Sequence, residues 1–120
     1  CVGFGEEYTR VAGFSNRDVG AIVLKGTTRE PRLGNPAHRV YETPMGMLNA
    51  IGLQNPGVEH VVDRILPTLD FTETRFFANV CGSTIDDYVE VTRRFDDSAS
   101  SLLGRSSADC IMNTAGRSFQ

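Results

Sequence analysis

Two polar positions in this sequence follow short apolar runs. Lys25 and Gly26 lie at the end of one run, residues 20–25, and Asn79 lies near the end of another, residues 75–80. Such runs are typical of strands that are buried on both faces of a parallel sheet. Ligands of parallel α/β folds bind at the carboxyl ends of the strands. An ammonium and a carboxamide at one such edge therefore predict a ligand site.

Each of these residues also has a plainer interpretation. Lys25 by itself fits a solvated charge where a strand leaves the sheet. Asn79 by itself fits a capping or turn residue. The pair favours a ligand site more than either residue does alone.

The segment 46–57 is rich in glycine and side-chain amides. Asn49, Gln54 and Asn55 offer paired hydrogen-bond donors and acceptors, and the glycines let a flat ligand approach the backbone closely. Such groups suit a planar heterocycle better than a phosphate, which favours a helix N-terminus or an arginine fork. The alternative is a surface loop whose amides stabilise its own turns. Composition leaves both interpretations open.

Cysteine and histidine spacing predicts no metal site. Cys1, Cys81 and Cys110 are far apart and odd in number, so they form neither a disulfide framework nor a zinc site of paired cysteines. His38 and His60 lie far from each other and from any acidic metal motif, and neither is assigned as a ligand. A reducing, cytoplasmic setting is expected.

Composition fits one ordinary globular domain. The 120 residues are 40% hydrophobic and 22% charged, with a net charge of −3 and a pI near 5.3. That balance argues against nucleic-acid or anionic-membrane binding, which would require a basic face. No apolar run approaches the ~18 residues of a membrane span, and no secretory signal is recognisable. The chain opens with Cys1 and not with Met, so a fragment is expected.

The first polar edge is followed by a long loop and then a helix. Glycine and proline recur through about 30 residues after Gly26, a length that is usually functional and has room for a short hairpin. The period then changes, and an apolar stripe at helical spacing predicts an amphipathic helix over 58–69. The stripe consists of Val58, Val61, Val62, Ile65, Leu66 and Leu69.

A second helix is predicted after the second strand. Ser83 and Asp86 have the spacing of a capping box, in which a hydroxyl and a carboxylate bind free backbone N–H groups. An apolar stripe of Ile85, Tyr88, Val89 and Phe95 follows.

This order, strand, loop, helix, strand, helix, predicts an α/β fold with parallel strands and right-handed crossovers. A (β/α)₈ TIM barrel takes about 250 residues, so this chain is expected to hold an incomplete N-terminal portion of one. Residues 98–120 contain six serines against two in the preceding 97. No strand-like run is recognised there, and we expect a divergent or misread tail.

Specific residue patterns recur along the first part of the chain, in segments 3–8, 23–28, 30–36, 39–40, 42–43, 46–57, 78–80, 82–83 and 87–91. In their sequence, order and spacing, these segments closely resemble class 1 dihydroorotate dehydrogenases over residues 1–97. The loop sequence Met-Leu-Asn-Ala-Ile-Gly-Leu-Gln-Asn-Pro-Gly is similar to the NAD-linked subtype, class 1B. We therefore divide the chain into this N-terminal barrel part, residues 1–97, and the tail, residues 98–120.

The resemblance implies a (β/α)₈ barrel that oxidises dihydroorotate to orotate in pyrimidine (UMP) biosynthesis, with FMN at the carboxyl ends of the strands. By position, it places Lys25, Gly26, Asn79 and Cys1 at the FMN, although the family context upstream of Cys1 is missing here. It assigns the substrate pocket to Lys25, Asn49, Ala50, Ile51, Gly52 and Leu53.

In this family the catalytic base is a cysteine after a later strand. Cys110 stands at the corresponding distance from Asn79. Its surroundings depart from the family pattern, because Ser107 replaces an expected Asn and Ile111 replaces an expected Pro. A cysteine acts as a base through its thiolate, which requires a pKa adjusted by its surroundings.

The resemblance also implies partners. Electrons would pass to NAD through a subunit that carries FAD and a 2Fe-2S cluster, neither of which is expected on this chain. A homo-oligomer of the full-length enzyme is expected, and the isolated fragment is expected to be inactive. The alternatives are another flavin oxidoreductase acting on a pyrimidine ring, or a non-catalytic half-barrel.

Overall fold

The described part of the chain contains five strands and two α-helices. The computed structural model describes residues 3–5, 7, 10–103 and 110–112, and their side chains except at 99–103 and 110–112. The strands are β1 (Ala21–Val23), β2 (Val40–Thr43), β3 (Gly46–Asn49), β4 (Arg75–Val80) and β5 (Cys110–Met112). The helices are α1 (Val58–His60) and α2 (Ile85–Leu103). No helix in these ranges is long and apolar enough to cross a membrane.

A parallel three-stranded sheet is the centre of the fold. Its strand order is β1-β4-β5, so β4 lies between two parallel neighbours. Ile22 of β1 lies opposite Phe76, and Ile111 of β5 lies opposite Asn79. The predicted strand over residues 75–80 is confirmed with the same bounds. The predicted strand over residues 20–25 is confirmed but is shorter, because β1 covers only Ala21–Val23. The parallel pairing confirms the α/β class.

One prediction for the end of the chain is wrong. We recognised no strand-like run in residues 98–120, but β5 extends the sheet there and pairs with Ala78–Val80. A run of three residues is too short to stand out in a sequence pattern, and β5 forms because β4 offers an unpaired edge. α2 continues to Leu103, across the predicted division at residues 97 and 98, and that division stays a prediction.

The long loop after Gly26 contains a short antiparallel hairpin, as the sequence analysis allowed. β2 pairs with β3 in a register that joins Val40 to Asn49 and Thr43 to Gly46. Pro44 and Met45 form the turn between the strands. Nearly all of the hairpin's residues are exposed.

The predicted helix over 58–69 forms, but not as one regular α-helix. α1 continues as a π-helix over Val61–Ile65 and as a 3-10 turn over Leu66–Thr68. Pro67 accounts for the ending, because it has no N–H to donate and its ring obstructs the preceding turn. The apolar stripe still faces inward, with Val61, Ile65 and Leu66 buried.

The cap of α2 differs from the predicted box by one residue. Thr84, not Ser83, caps the helix: its Oγ1 accepts from the N–H of Asp87 at 3.2 Å, and its own N–H donates to Asp87 Oδ2 at 3.1 Å. The N–H of Ser83 also donates to Asp87 Oδ2, at 3.0 Å. The predicted pair of Ser83 and Asp86 is therefore wrong. The reason is that α2 begins at Ile85, which makes Asp87 its third residue.

The hydrophobic core lies between the sheet and the helices. Leu24, directly after β1, and Ala78 and Val80 of β4 are buried in one cluster with apolar side chains of both helical segments. The buried cluster contains Phe4, Leu24, Val58, Val61, Ile65, Leu66, Leu69, Ala78, Val80, Val91 and Phe95. This packing fixes the strand ends at which the predicted site lies.

Candidate functional site

Gly26 lies where the ends of two strands meet the long loop. A Cβ atom at this position would be 2.9 Å from Cys81 Sγ, 3.1 Å from Leu53 Cδ1 and 3.8 Å from Asn79 Nδ2. We call these four residues the Gly26 cluster. The structure thus brings together three predicted site residues, Gly26, Leu53 and Asn79, and adds Cys81.

Backbone hydrogen bonds hold the two strand ends in place beyond β1. The N–H of Thr27 donates to the carbonyl of Asn79, and the N–H of Cys81 donates to the carbonyl of Thr27, both at 2.9 Å. Thr27 is fully buried, and its Oγ1 donates to the carbonyl of Lys25 at 2.9 Å. The edge that presents Gly26 and Asn79 is therefore rigid.

Leu53 reaches Gly26 because the chain turns sharply just before it. Gly52 has a φ of 78° and Leu53 a φ of 55°, two consecutive residues in the left-handed region. Such a φ costs a residue with a side chain about 1–3 kcal/mol, and residues held this way cluster at functional sites. A side chain on Gly52 would meet Asn35 at 2.8 Å, so glycine is required there.

Asn55 holds this turn from inside the protein. Its Oδ1 accepts from the N–H groups of Thr28 at 3.1 Å and Gly57 at 3.0 Å. Its Nδ2 donates to the carbonyl of Leu53 at 2.9 Å. Of the two interpretations of the loop amides, the structure supports the second for Asn55: its amide stabilises the loop.

The guanidinium of Arg39 links two parts of the long loop, residues 33–35 and Gln54, through hydrogen bonds. Its Nη1 donates to the carbonyls of Leu33 at 3.3 Å and Asn35 at 3.2 Å, and its Nη2 donates to Gln54 Oε1. Gln54 therefore also makes bonds within the loop. Arg39 lies in segment 39–40, which carries the family resemblance, but no role was predicted for it, because two of its partners are backbone carbonyls.

Three further predicted substrate residues lie at the end of β3 and directly after it. Asn49 ends β3 and is exposed, Ala50 is exposed, and Ile51 is half-buried. Asn35 holds this backbone: its Nδ2 donates to the carbonyl of Ala50 at 2.8 Å, and its N–H donates to the carbonyl of Ile51 at 2.9 Å. The segment leading to Leu53 is thus fixed from one side.

Lys25 and Cys81 set the electrostatics of the strand ends. Lys25 is half-buried, and its N–H donates to the carbonyl of Gly3 at 2.9 Å. Burial raises the pKa of the Cys81 thiol, and the nearby charges of Arg32 and Lys25 oppose that shift. A buried thiol with a raised pKa stays protonated at neutral pH. It can therefore act as a hydrogen-bond donor.

The two other cysteines are located less completely. Cys1 lies outside the described residues. The backbone of Cys110 lies in β5 opposite Ala78, one register position before Asn79. Its role as the catalytic base stays a prediction. Among the described residues, no group of three or more His, Cys, Asp or Glu side chains could hold a metal ion.

Comparison with known proteins identifies the family. A family model described as dihydroorotate dehydrogenase matches residues 1–104. The chain is 56% identical over 98 residues to a Listeria welshimeri protein and 55% identical over 98 residues to a Listeria monocytogenes protein. It is also 55% identical over 91 residues to a Geobacillus kaustophilus protein. All three are named dihydroorotate dehydrogenase B (NAD(+)), catalytic subunit.

These matches cover most of this chain and a smaller share of each relative. They include 82% of the chain and 32% of each Listeria protein, and 76% of the chain and 28% of the Geobacillus protein. The chain thus spans about a third of the length of the relatives it matches. It belongs to the dihydroorotate dehydrogenase family and aligns with a segment of the NAD-linked type, class 1B.

Proposed function

We propose that the full-length protein carrying this segment oxidises dihydroorotate to orotate with FMN, in the biosynthesis of UMP. The observation that carries this proposal is the Gly26 cluster, in which both strand ends and the loop of the family motif meet around one glycine. The names of the relatives give the reaction. The full-length protein is one that carries these residues within the whole length of a family member.

The fold proposed for the full-length protein is a (β/α)₈ barrel, of which this segment forms the first part. Successive parallel strands lie side by side in the order β1-β4-β5, as in a barrel. Val23 is 45% exposed, whereas Ile22 and Leu24 on either side of it are buried. Further strands of a barrel would cover the open face.

The donor groups at the strand ends fit the edge of a flavin. In the described part of the chain, the Asn79 carboxamide makes one hydrogen bond, to the Cys81 thiol, so its Nδ2 retains donors for a ligand. The ammonium of Lys25 adds a positive charge at the same edge. A flavin ring presents carbonyl oxygens and ring nitrogens that accept such bonds. Gly26 would contribute through its backbone, because Cys81 and Leu53 crowd the space of a side chain.

FMN, when bound, supplies the group that accepts a hydride from C6 of dihydroorotate. The chain's own residues bind and orient. Lys25 stabilises negative charge on the ring and on the substrate, and Asn79 donates to the ring edge. Asn49 and the backbone from Ala50 to Leu53 orient the substrate, while Leu53 excludes water. Cys110 is assigned to remove the C5 proton through its Sγ.

The partners proposed for the full-length protein follow its relatives. Their name, catalytic subunit, supports a second subunit, to which we assign FAD and a 2Fe-2S cluster that pass electrons to NAD. We further propose a cytoplasmic homo-oligomer of the catalytic chain. The 120-residue chain alone is expected to be inactive, because β1 and β5 each leave an open edge among the described strands.

The test is the absorbance spectrum and substrate range of the purified full-length protein. We expect bound FMN, and we expect dihydroorotate to reduce it much faster than dihydrouracil does. Absence of bound flavin, even after incubation with FMN, would overturn the proposal. Faster reduction by dihydrouracil would instead assign the protein to another pyrimidine-ring oxidoreductase.

A further inference from the structure

Cys81 makes a contact that the proposed function does not use. Its Sγ donates to Asn79 Oδ1 at 3.8 Å, and both residues are buried, with 6% and 5% of their surfaces exposed. The two residues are separated by one position near the end of β4, so their side chains lie on the same side of the strand.

We propose that Cys81 is a positioning residue that orients the carboxamide of Asn79, with Oδ1 held by the thiol and Nδ2 presented beside Gly26. The inference rests on the proposed function only in that FMN is the group Nδ2 would meet. It makes Cys81 act through Asn79, without contact to FMN or substrate.

The orientation of a carboxamide depends on its neighbours. Its oxygen and nitrogen ends are nearly equal in size, so sterics alone do not decide which end faces a ligand. A protonated thiol is a weak donor as well as a weak acceptor, and here its S–H donates to the oxygen of Asn79, which leaves Nδ2 on the other side of the carboxamide. Burial keeps the thiol of Cys81 protonated by raising its pKa.

The backbone leaves little freedom to undo this arrangement. Thr27 bonds to the carbonyl of Asn79 on one side and to the N–H of Cys81 on the other, both at 2.9 Å. On the Gly26 side, Sγ lies 2.9 Å and Nδ2 lies 3.8 Å from the position of a Cβ atom. The thiol and the amide thus share the space that glycine leaves, and replacing the thiol acts directly on the amide.

The rival explanation is that Cys81 only fills space beside Gly26. Serine separates the two explanations, since it keeps a donor at nearly the same place with a smaller atom. Alanine removes the donor and the volume together. If only the volume matters, the serine variant should behave like the alanine variant. If the donor matters, the serine variant should behave like the parent protein.

The experiment compares Cys81→Ser and Cys81→Ala in the full-length protein. The first readout is the ¹H–¹⁵N resonance pair of the Asn79 carboxamide in flavin-free protein. The second is the FMN dissociation constant from quenching of flavin fluorescence. We expect Cys81→Ala to shift or broaden the Asn79 resonances and to weaken FMN binding about two- to tenfold, the range of one hydrogen bond. We expect Cys81→Ser to remain within about twofold of the parent protein.

An Asn79→Ala background provides the matched control. In that background, Cys81→Ala should weaken FMN binding no further, because its effect passes through Asn79. Equal losses with and without Asn79, or equal behaviour of the serine and alanine variants, would overturn the inference. A parent protein that binds no FMN would refute the proposed function, while the Asn79 resonances of the three proteins would still decide the role of Cys81.

Discussion

The side chain of Leu53 packs directly against the backbone of Gly26. Its Cδ1 atom lies 3.1 Å from the position that a Cβ atom would occupy at residue 26. These residues lie 27 positions apart, one at the end of a buried strand and the other in a left-handed turn. A side chain at residue 26 would force Leu53 to move by a few tenths of an ångström. Cys81 occupies the other side of the same space, at 2.9 Å.

Gly26→Ala should therefore disturb both neighbours. We expect the free energy of unfolding of the full-length protein to fall by about 1–3 kcal/mol, the usual cost of overpacking a filled site, and FMN binding to weaken. Adding Cys81→Ala should recover part of the stability, since it removes the closer atom. Chemical denaturation of the single and double variants measures this coupling. Gly20→Ala is the matched control, because a Cβ atom there meets nothing within 4 Å; equal losses at both glycines would contradict the expected crowding.

Asn55→Ala should loosen the turn that carries Leu53. The change leaves the N–H groups of Thr28 and Gly57 without their acceptor, at a cost of about 1–3 kcal/mol in unfolding free energy. We also expect a higher KM for dihydroorotate, because the carbonyl of Leu53 loses its donor. Denaturation and steady-state kinetics check the two effects. Gln54→Ala, at the exposed neighbouring amide, should destabilise less; a larger loss there would show that Asn55 is not the main anchor.

The thiol of Cys81 should make stability depend on alkaline pH. Its pKa is higher in the folded protein than in an unfolded chain, where a thiol titrates at about 8.5. Its contribution to stability is thus fully present below that pH and is lost as the pH rises through the folded pKa. Unfolding of the parent and of Cys81→Ser between about pH 7 and pH 10 isolates this group. We expect the serine variant to lose less stability at high pH, and parallel curves would argue against a buried neutral thiol.

Thr84→Ala should remove the cap of α2. Loss of a hydroxyl cap costs about 1 kcal/mol, because the N–H of Asp87 loses its acceptor. Ser83→Ala is the control, since the Ser83 N–H, and not its hydroxyl, makes the bond to Asp87. Thermal or chemical unfolding distinguishes the variants. A larger loss at Ser83 would restore the capping box expected from the sequence.

Lys25→Ala should slow reduction of the flavin by dihydroorotate. Removing one charged donor from a desolvated site typically lowers the rate by about 10²–10³. If Lys25 is only a solvated cap of the strand, the change should instead cost under ~0.5 kcal/mol of stability and leave the rate unchanged. Stopped-flow absorbance at full FMN occupancy measures the rate. Arg75→Ala, an exposed cation at the opposite end of the sheet, should leave it near normal.

Sequence patterns predicted the elements whose packing is local. The apolar run of β4 and the helical stripe from Val58 to Leu69 are long enough to specify a buried strand and a buried helix face. β5 was missed because three residues carry too little pattern, and its pairing depends on a strand 32 positions earlier, since Cys110 lies opposite Ala78. The cap was misplaced because two hydroxyls and two carboxylates adjoin one another, so that composition fits either register.

The site was predictable in its position but not in its internal contacts. The rule that ligands gather at the carboxyl ends of parallel strands pointed to Lys25, Gly26 and Asn79, and two of these now lie in one cluster. The roles of Asn55 and Cys81 depend on which atoms meet after folding. Asn55, for example, bonds to Thr28 across 27 residues. No spacing along the chain reports such a contact.

Hydrogen bonds join Thr28 to Asn55, at the two ends of the segment formed by residues 29–54. The geometry of the strand ends therefore does not depend on the length of that segment. The exposed β2–β3 hairpin lies within this segment, which runs from Arg29 to Gln54. Lengthening such a closed segment costs entropy only with the logarithm of its length. Residues added at the turn, Pro44–Met45, should thus extend the hairpin outward while the hydrogen bonds between Thr28 and Asn55 remain. The turn is a natural position for an inserted epitope or fluorophore-binding peptide that reports on the protein without displacing Gly26.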